Sequence, residues 1–454
     1  MNRLPRFAYL AAACVCAFAA SAAQYQGPDR TRLNIGAYYL RVPAGIEERH
    51  VLAARECGID FVHDYWKGAE ICDLYVKHGI KGELTFVLPS PPRKDKETGR
   101  ILEGDDFEKA CPLSKFDKAI DNFRKSGRMH PFVESIAVVD EPSARMLPYY
   151  GKVAARCRKL LPEVAIYVCL FPKYGEHCGM KGKVVNLLGG VDTYEEYIDM
   201  YCRHVPADSI VYDFYLYSGA MLSDFYDNMR IVSDACRKTG RVHGIVLQAT
   251  SGRSREDVND IGANKLRYQA NAALAFGVET ILWATYSPGW WTNACVLAAN
   301  GEKTVQYERL KTVNAELHRV GPDYMRFRNT ATHYVGFPEG CDDLKGVPVK
   351  LFASLDTGYF QNVRAEDGDR LVIGQMVERV PSGREAVALF VCAADDPYDK
   401  ACKTRKIVFK PGGGRRVKVV GGNGELPVGV AEDGTMSFEI ASSGGALVIS
   451  ESAL

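Results

Sequence analysis

Beyond its N-terminal stretch, this 454-residue sequence has no apolar run approaching the ~20 residues that cross a bilayer, so no internal membrane span is expected. It also lacks an excess of charge. Its 57 basic and 56 acidic residues leave a formal +1, which makes no global field for nucleic acid or acidic lipid. Three missing signatures narrow the chemistry further. No G-x-G-x-x-G follows the first strand-like segment, which argues against a dinucleotide site. No G-x-S-x-G nucleophile elbow occurs. The 14 cysteines include no Cys-x-x-Cys or tight His–Cys cluster of the structural zinc type. Neither a cofactor nor a metal is expected, and a nucleic-acid partner is not expected either.

The first residues do carry a pattern. Arg3 and Arg6 precede a small-residue apolar stretch from Phe7 to about Ala20, and Ala20-Ser21-Ala22 offers a cleavage site. Residues 1–23 therefore read as a secretory signal, and the expected location is secreted or periplasmic, with cell-surface association as the alternative. Its removal would take two arginines and turn the net charge from +1 to −1. Cys14 and Cys16 would leave with it. Export permits disulfides, and Cys392 and Cys402, flanking a polar loop, form the best local pair. Cys57, Cys72, Cys157, Cys202 and Cys236 lie in helical patterns, where buried thiols are an equally good reading.

What the sequence does have is repetition. Short β-branched or aromatic runs alternate with amphipathic helical patterns eight times. The strands are expected at 34–40, 59–65, 82–88, 135–141, 164–171, 209–215, 242–248 and 278–284, with a closing helix over 305–320. Eight alternations over about 290 residues fit a (β/α)8 barrel, at 30–325, better than a doubly wound sheet. After Thr330 the texture becomes short alternating strands and Gly-rich turns, so 330–454 reads as an antiparallel β-sandwich.

In such barrels the chemistry sits where strands end. The most informative end is Ser135-Ile136-Ala137-Val138-Val139-Asp140-Glu141-Pro142, a buried-strand pattern that delivers two adjacent carboxylates. The other ends contribute Tyr38, Tyr39, His63, Asp64, Tyr65, Asp213, Tyr215, Tyr217 and Gln248. A cluster of Trp283, Tyr286, Trp290 and Trp291 follows on or after the eighth strand. An acidic cup walled by aromatics suits a carbohydrate, because flat rings pack on sugar faces while carboxylates and amides take the hydroxyls. Glycoside hydrolysis needs an acid and a second carboxylate across the sugar. Glu141 is the candidate acid, with Asp140 as a like-charged neighbour that raises its pKa; capping of the following helix is its structural alternative. Asp213 is the candidate second carboxylate and Asp64 the reserve. Glu134 and Glu279 lie near strand starts, at the end of the barrel that serves stability.

With these residues in place the chain resembles family 42 β-galactosidases and the wider clan of retaining glycosidases built on (β/α)8 barrels. The resemblance covers about 30–325, and the Gly444-Gly445-Ala446-Leu447-Val448 turn and strand near the C-terminus is also typical of such enzymes. It implies that Glu141 is the acid/base residue, with Asp140 standing where that clan has asparagine. It also implies a nucleophile glutamate at the end of strand seven, a place held here by Gln248. That departure leaves several readings open. They are an inverting reaction with Asp213 as base, a substrate-assisted route of the chitinase or hexosaminidase kind, and a catalytically inactive barrel that binds carbohydrate.

Overall fold

A computed structural model describes residues 27, 29–84, 88–180, 183–250, 261–291, 294–380, 383, 385–395 and 403–452. Residues 1–23 lie outside these, as does Cys402 of the expected disulfide. Eight parallel strands close into a barrel: β1 (Asn34–Tyr38), β2 (Phe61–Asp64), β3 (Lys81–Leu84), β4 (Val133–Asp140), β5 (Ala165–Leu170), β6 (Ser209–Phe214), β7 (Val242–Gln248) and β8 (Thr280–Ala284). Each strand pairs with its sequence neighbours, and β8 closes on β1 through Asn34↔Thr280 to Ala37↔Trp283. The connecting helices are α1 (Glu47–Glu56), α2 (Ala69–Lys77), α3 (Leu113–Lys125), α4 (Leu147–Leu160), α5 (Tyr194–His204), α6 (Leu222–Thr239), α7 (Ala263–Ala275) and α8 (Val305–Tyr324). Among the described residues no helix is long and apolar enough to cross a membrane.

Alternation along the strands separates two cores. Outward side chains such as Ile35, Val62, Ile136, Val168, Tyr212, Leu247 and Trp283 pack beneath the helices. Inward ones make a smaller interior cluster of Tyr38, Ala137, Tyr167, Cys169, Val211, Val246, Leu282 and Ala284. Several helices carry the termini their sequences announce. Thr193 caps α5 by accepting from the Glu196 N–H while the Glu196 carboxylate accepts from the Thr193 N–H. Gly240, at φ 71°, ends α6 in the left-handed conformation that glycine adopts without strain.

The C-terminal part forms two antiparallel sheets. One has seven strands in the order 351–352, 327–335, 371–378, 386–393, 445–452, 415–421, 424–425. The other has four, ordered 360–365, 404–411, 436–441, 429–430. Leu371, Ile373, Leu389, Val391 and Val448 of the first meet Phe360, Ile407, Phe409, Phe438 and Ile440 of the second in one apolar layer, the arrangement of a sandwich. The strand Phe360–Ala365 carries little of the alternating strand pattern in its sequence. Gln361 and Asn362 are polar and exposed, the pairing is broken by a bulge between Gln361 and Arg364, and Asn362 sits at φ 52°.

Candidate active site

At the C-terminal mouth, β4 ends in Asp140 and the chain turns sharply at Glu141. The direction of both side chains depends on a bulge. Ala137 opposes Tyr167, but the next partner of Val168 is Val139, so Asp140 comes opposite Cys169. Tyr167 and Cys169 belong to the interior cluster; the extra residue therefore turns Asp140 inward instead of outward. Glu141 then adopts φ 45°, in the left-handed region. For a non-glycine residue this conformation costs on the order of 1–3 kcal/mol and persists only where its surroundings hold it. Here the Glu141 N–H donates to the Cys169 carbonyl at 2.9 Å, and Arg93 Nη2 donates to the Glu141 carbonyl at 3.1 Å. Arg93 comes from the long polar loop after β3.

Asp213 arrives by plain alternation. Val211 points inward, Tyr212 outward with its hydroxyl bonded to His243 Nε2, and Asp213 inward again. It is only 8 % exposed, and its Oδ1 has no hydrogen-bond partner. The three carboxyls interact strongly. Burial first, then the charges of Glu141 and Asp140, push Asp213 well above the carboxylate range; the Tyr215 hydroxyl opposes this weakly. Burial and the charge of Asp140 raise Glu141 to about 7, with Arg93 opposing. Asp140 is raised by burial, and His63 and Arg93 hold it back. Its own surface is solvent-exposed, at the recess where the barrel opens. Burial and mutual charge thus favour the protonated forms of Glu141 and Asp213.

Aromatic rings wall this recess. Trp290, 46 % exposed, stands edge-on to Tyr38 and Tyr39 at 5.4 and 5.2 Å. Trp291 meets Tyr215 at 4.7 Å, and the two tryptophans lie 5.8 Å apart. The hydroxyls of Tyr39 and Tyr65 are 3.0 Å apart. The loop after β8 is pinned to β1, since the Tyr286 and Ser287 N–H groups donate to the Tyr38 and Tyr39 carbonyls.

Other residues expected here are placed elsewhere. Trp283 is fully buried on the outward face of β8 and donates Nε1–H to Asn314 of α8 at 2.9 Å. Tyr286 is likewise fully buried, within reach of Cys57. Both ring faces are therefore closed to a ligand. Gln248 is buried and fully engaged: its Oε1 accepts from the Tyr217 N–H and its Nε2 donates to the Thr250 carbonyl, each at 2.9 Å. It joins two loops rather than facing the recess with a free group. Asp64 is buried, paired with Lys67 at 3.0 Å, and accepts from the Tyr65 N–H. His63 lies inside the barrel with Tyr38 stacked on it at 4.1 Å. At the opposite end, Glu279 bridges Arg30 and Arg379. Arg93, Cys169 and Glu83 are additions that the strand ends did not reveal.

No protein-family model matches the sequence, and no curated protein matches it. Among solved structures, the chain is similar to a family 42 β-galactosidase from G. stearothermophilus, with TM-score 0.53 and 7 % identity over 93 % of this chain and 98 % of that one. It also aligns with a family 39 glycoside hydrolase from Bacteroides cellulosilyticus WH2 (TM-score 0.46, 12 % identity, 93 % and 82 % covered). A glucosidase from Croceicoccus marinus aligns at TM-score 0.43 and 11 % identity, with 95 % and 98 % covered. At such identities the likeness to the β-galactosidase is one of fold, and it extends over the barrel and the sheets that follow it.

Proposed function

We propose that this protein hydrolyses a glycosidic bond in an oligo- or polysaccharide, outside the cytoplasm, with Glu141 as the proton donor. What supports this reading is that burial and mutual charge link Glu141, Asp140 and Asp213 at the mouth where Tyr38, Trp290, Trp291 and Tyr215 gather. Glu141, pushed up to about 7, is in part protonated at neutral pH and delivers that proton to the departing glycosidic oxygen. A carboxylate among its two partners then stabilises the positive charge that develops at the anomeric carbon and acts on it directly or through water. Asp213, which must first give up the proton that its burial and acidic neighbours favour, is the candidate for that second role, and the anomer released, followed by NMR, distinguishes direct attack from inversion. Trp290 offers its exposed ring to a sugar face. Glu141→Gln should lower the rate of sugar release by roughly 10²–10⁴-fold, the scale of general acid catalysis. A loss below tenfold removes Glu141 from the role.

One observation favours a second reading. Gln248 occupies the end of the seventh strand and spends its amide on loop backbones, which suits a barrel that binds glycans without cleaving them. Glycan binding that is equal in native protein and Glu141→Gln, with no sugar released from plant, algal or host glycans, would establish that alternative.

A further inference from the structure

The turn that carries Glu141 is unfavourable on two counts. Its φ of 45° is strained for a non-glycine residue, and the following Pro142 favours an extended conformation in the residue before it. Such a turn needs to be held from both sides. On its N-terminal side the Glu141 N–H donates to the Cys169 carbonyl at 2.9 Å. On its C-terminal side the hydroxyl of Tyr197, on α5, donates to the Pro142 carbonyl at 2.7 Å. The same hydroxyl accepts from the Phe171 N–H at 3.4 Å, so one buried oxygen ties the exit of β4 to the exit of β5. Tyr197 is fully buried, with the rings of Phe171 and Tyr194 at 6.5 and 6.0 Å. Burial pushes its hydroxyl well above the usual tyrosine range, so it stays a neutral donor.

We propose that Tyr197 is a positioning residue for the acid: by tying Pro142 to Phe171, its hydroxyl holds the left-handed turn at Glu141 and with it the carboxyl at the barrel mouth. One hydroxyl has this reach because Pro142 is rigid. A proline ring fixes its own φ at about −65°. With that rotation removed, anchoring the Pro142 carbonyl fixes the peptide that leaves Glu141, while Cys169 anchors the peptide that enters it. Arg93 adds a bond to the Glu141 carbonyl, but from an exposed loop residue. Both hydrogen bonds of the Tyr197 hydroxyl are to backbone, so it acts through the chain and not on the substrate. A phenylalanine there would fill the same space and take this partner from the Pro142 carbonyl and the Phe171 N–H, a loss that matters most for buried groups.

The inference rests on the glycosidase reading for the use made of Glu141, and its first test needs no substrate. The ionisable groups whose charges reach Glu141 are Asp140, Asp213, Arg93, Cys169, Tyr174 and Tyr197 itself. Tyr197→Phe alters none of these charges near neutrality, so a moved Glu141 titration reports a moved carboxyl. In full-length protein labelled with ¹³C-glutamate, Glu141 is identified through Glu141→Gln. Its wild-type midpoint of about 7 should fall by about one pH unit or more in Tyr197→Phe, as the released carboxyl reaches water. Tyr201→Phe is the control. It removes another buried hydroxyl of α5, which donates to the Ser209 carbonyl at 2.9 Å at the start of β6, and it should leave the midpoint in place. If a glycan is cleaved, Tyr197→Phe should lower kcat by roughly 10–10²-fold at nearly unchanged KM, the scale of a misplaced catalytic group. The alkaline limb of the rate profile should move to lower pH. An unmoved Glu141 midpoint in folded Tyr197→Phe, or the same movement in Tyr201→Phe, overturns the proposal. If Tyr197→Phe does not fold, Pro142→Ala decides, since it keeps the carbonyl but frees its rotation: a fallen midpoint supports the proposal and an unmoved one overturns it. Failure to find a cleavable glycan would count against the hydrolase reading and leave the titration result standing.

Discussion

At the scale of single residues, Glu141 combines a strained backbone with a carboxyl raised to about 7 by burial and by Asp140. A carboxyl whose folded pKa lies above its unfolded value of about 4.3 binds its proton more tightly when folded. The associated stability is fully present below the unfolded pKa and is lost as pH rises through about 7. Glu141→Gln, which cannot ionise, should therefore melt above the wild type at pH 8–9, with the gap narrowing toward pH 5. Thermal unfolding across that range measures it, and a constant gap would contradict the shift. The tryptophans divide in the same way. Trp290→Ala should raise KM for a cleaved glycan roughly tenfold at unchanged melting temperature, since it loses an exposed ring that stacks on sugar. Trp283→Ala should cost about 3–5 kcal/mol of stability, as for any large buried side chain, measured by denaturant unfolding. Composition placed both in one aromatic cluster. Only strand direction separates them, because Trp283 lies on the face of β8 turned to α8.

At the scale of elements, β4 shows where reading a sequence stops. Val138 and Val139 are both apolar, so period-2 alternation is silent about which carboxylate enters the barrel. The bulge between Ala137 and Val139 decides for Asp140, and it reflects pairing with β5, a long-range contact. Asp213 was legible because Val211-Tyr212-Asp213 continues an unbroken strand. The role of Gln248 was legible only as a place in the order of strands. Its partners Tyr217 and Thr250 belong to loops whose path depends on the closed barrel. The starts of the strands serve stability. Glu279, only 6 % exposed, sits between Arg30 and Arg379. Glu279→Ala should cost about 3–5 kcal/mol, the usual penalty for stripping one partner from a buried pair, while sugar release, measured on the folded fraction, is unchanged.

At the scale of the whole molecule, the seven-stranded sheet rests on the barrel's α7 and α8. Asn271 Nδ2 donates to the Ser443 carbonyl, Lys418 pairs with Asp323 at 2.9 Å, and a Cβ on Gly374 would stand 2.2 Å from the Ala275 carbonyl oxygen. Gly374→Val should therefore cost about 3 kcal/mol through overpacking. Gly413→Ala, with open space around it, should leave the melting temperature unchanged. A Gly374→Val protein as stable as the wild type would mean that the sheet docks loosely. The sequence by itself determined the barrel, because periods of two and 3.6 residues alternate eight times, and it determined the change to antiparallel sheets after the last helix. It also marked the strand ends at which Asp140, Glu141 and Asp213 occur, since these follow from local pattern alone. The tertiary structure decided which side chains meet. Closing eight strands brings residues from β1 to β8 onto one axis, and the bulge in β4 selects Asp140. The stagger of neighbouring strands joins Tyr38, His63, Glu83 and Ser135 in a row. Such contacts depend on register between distant segments, which no local periodicity encodes.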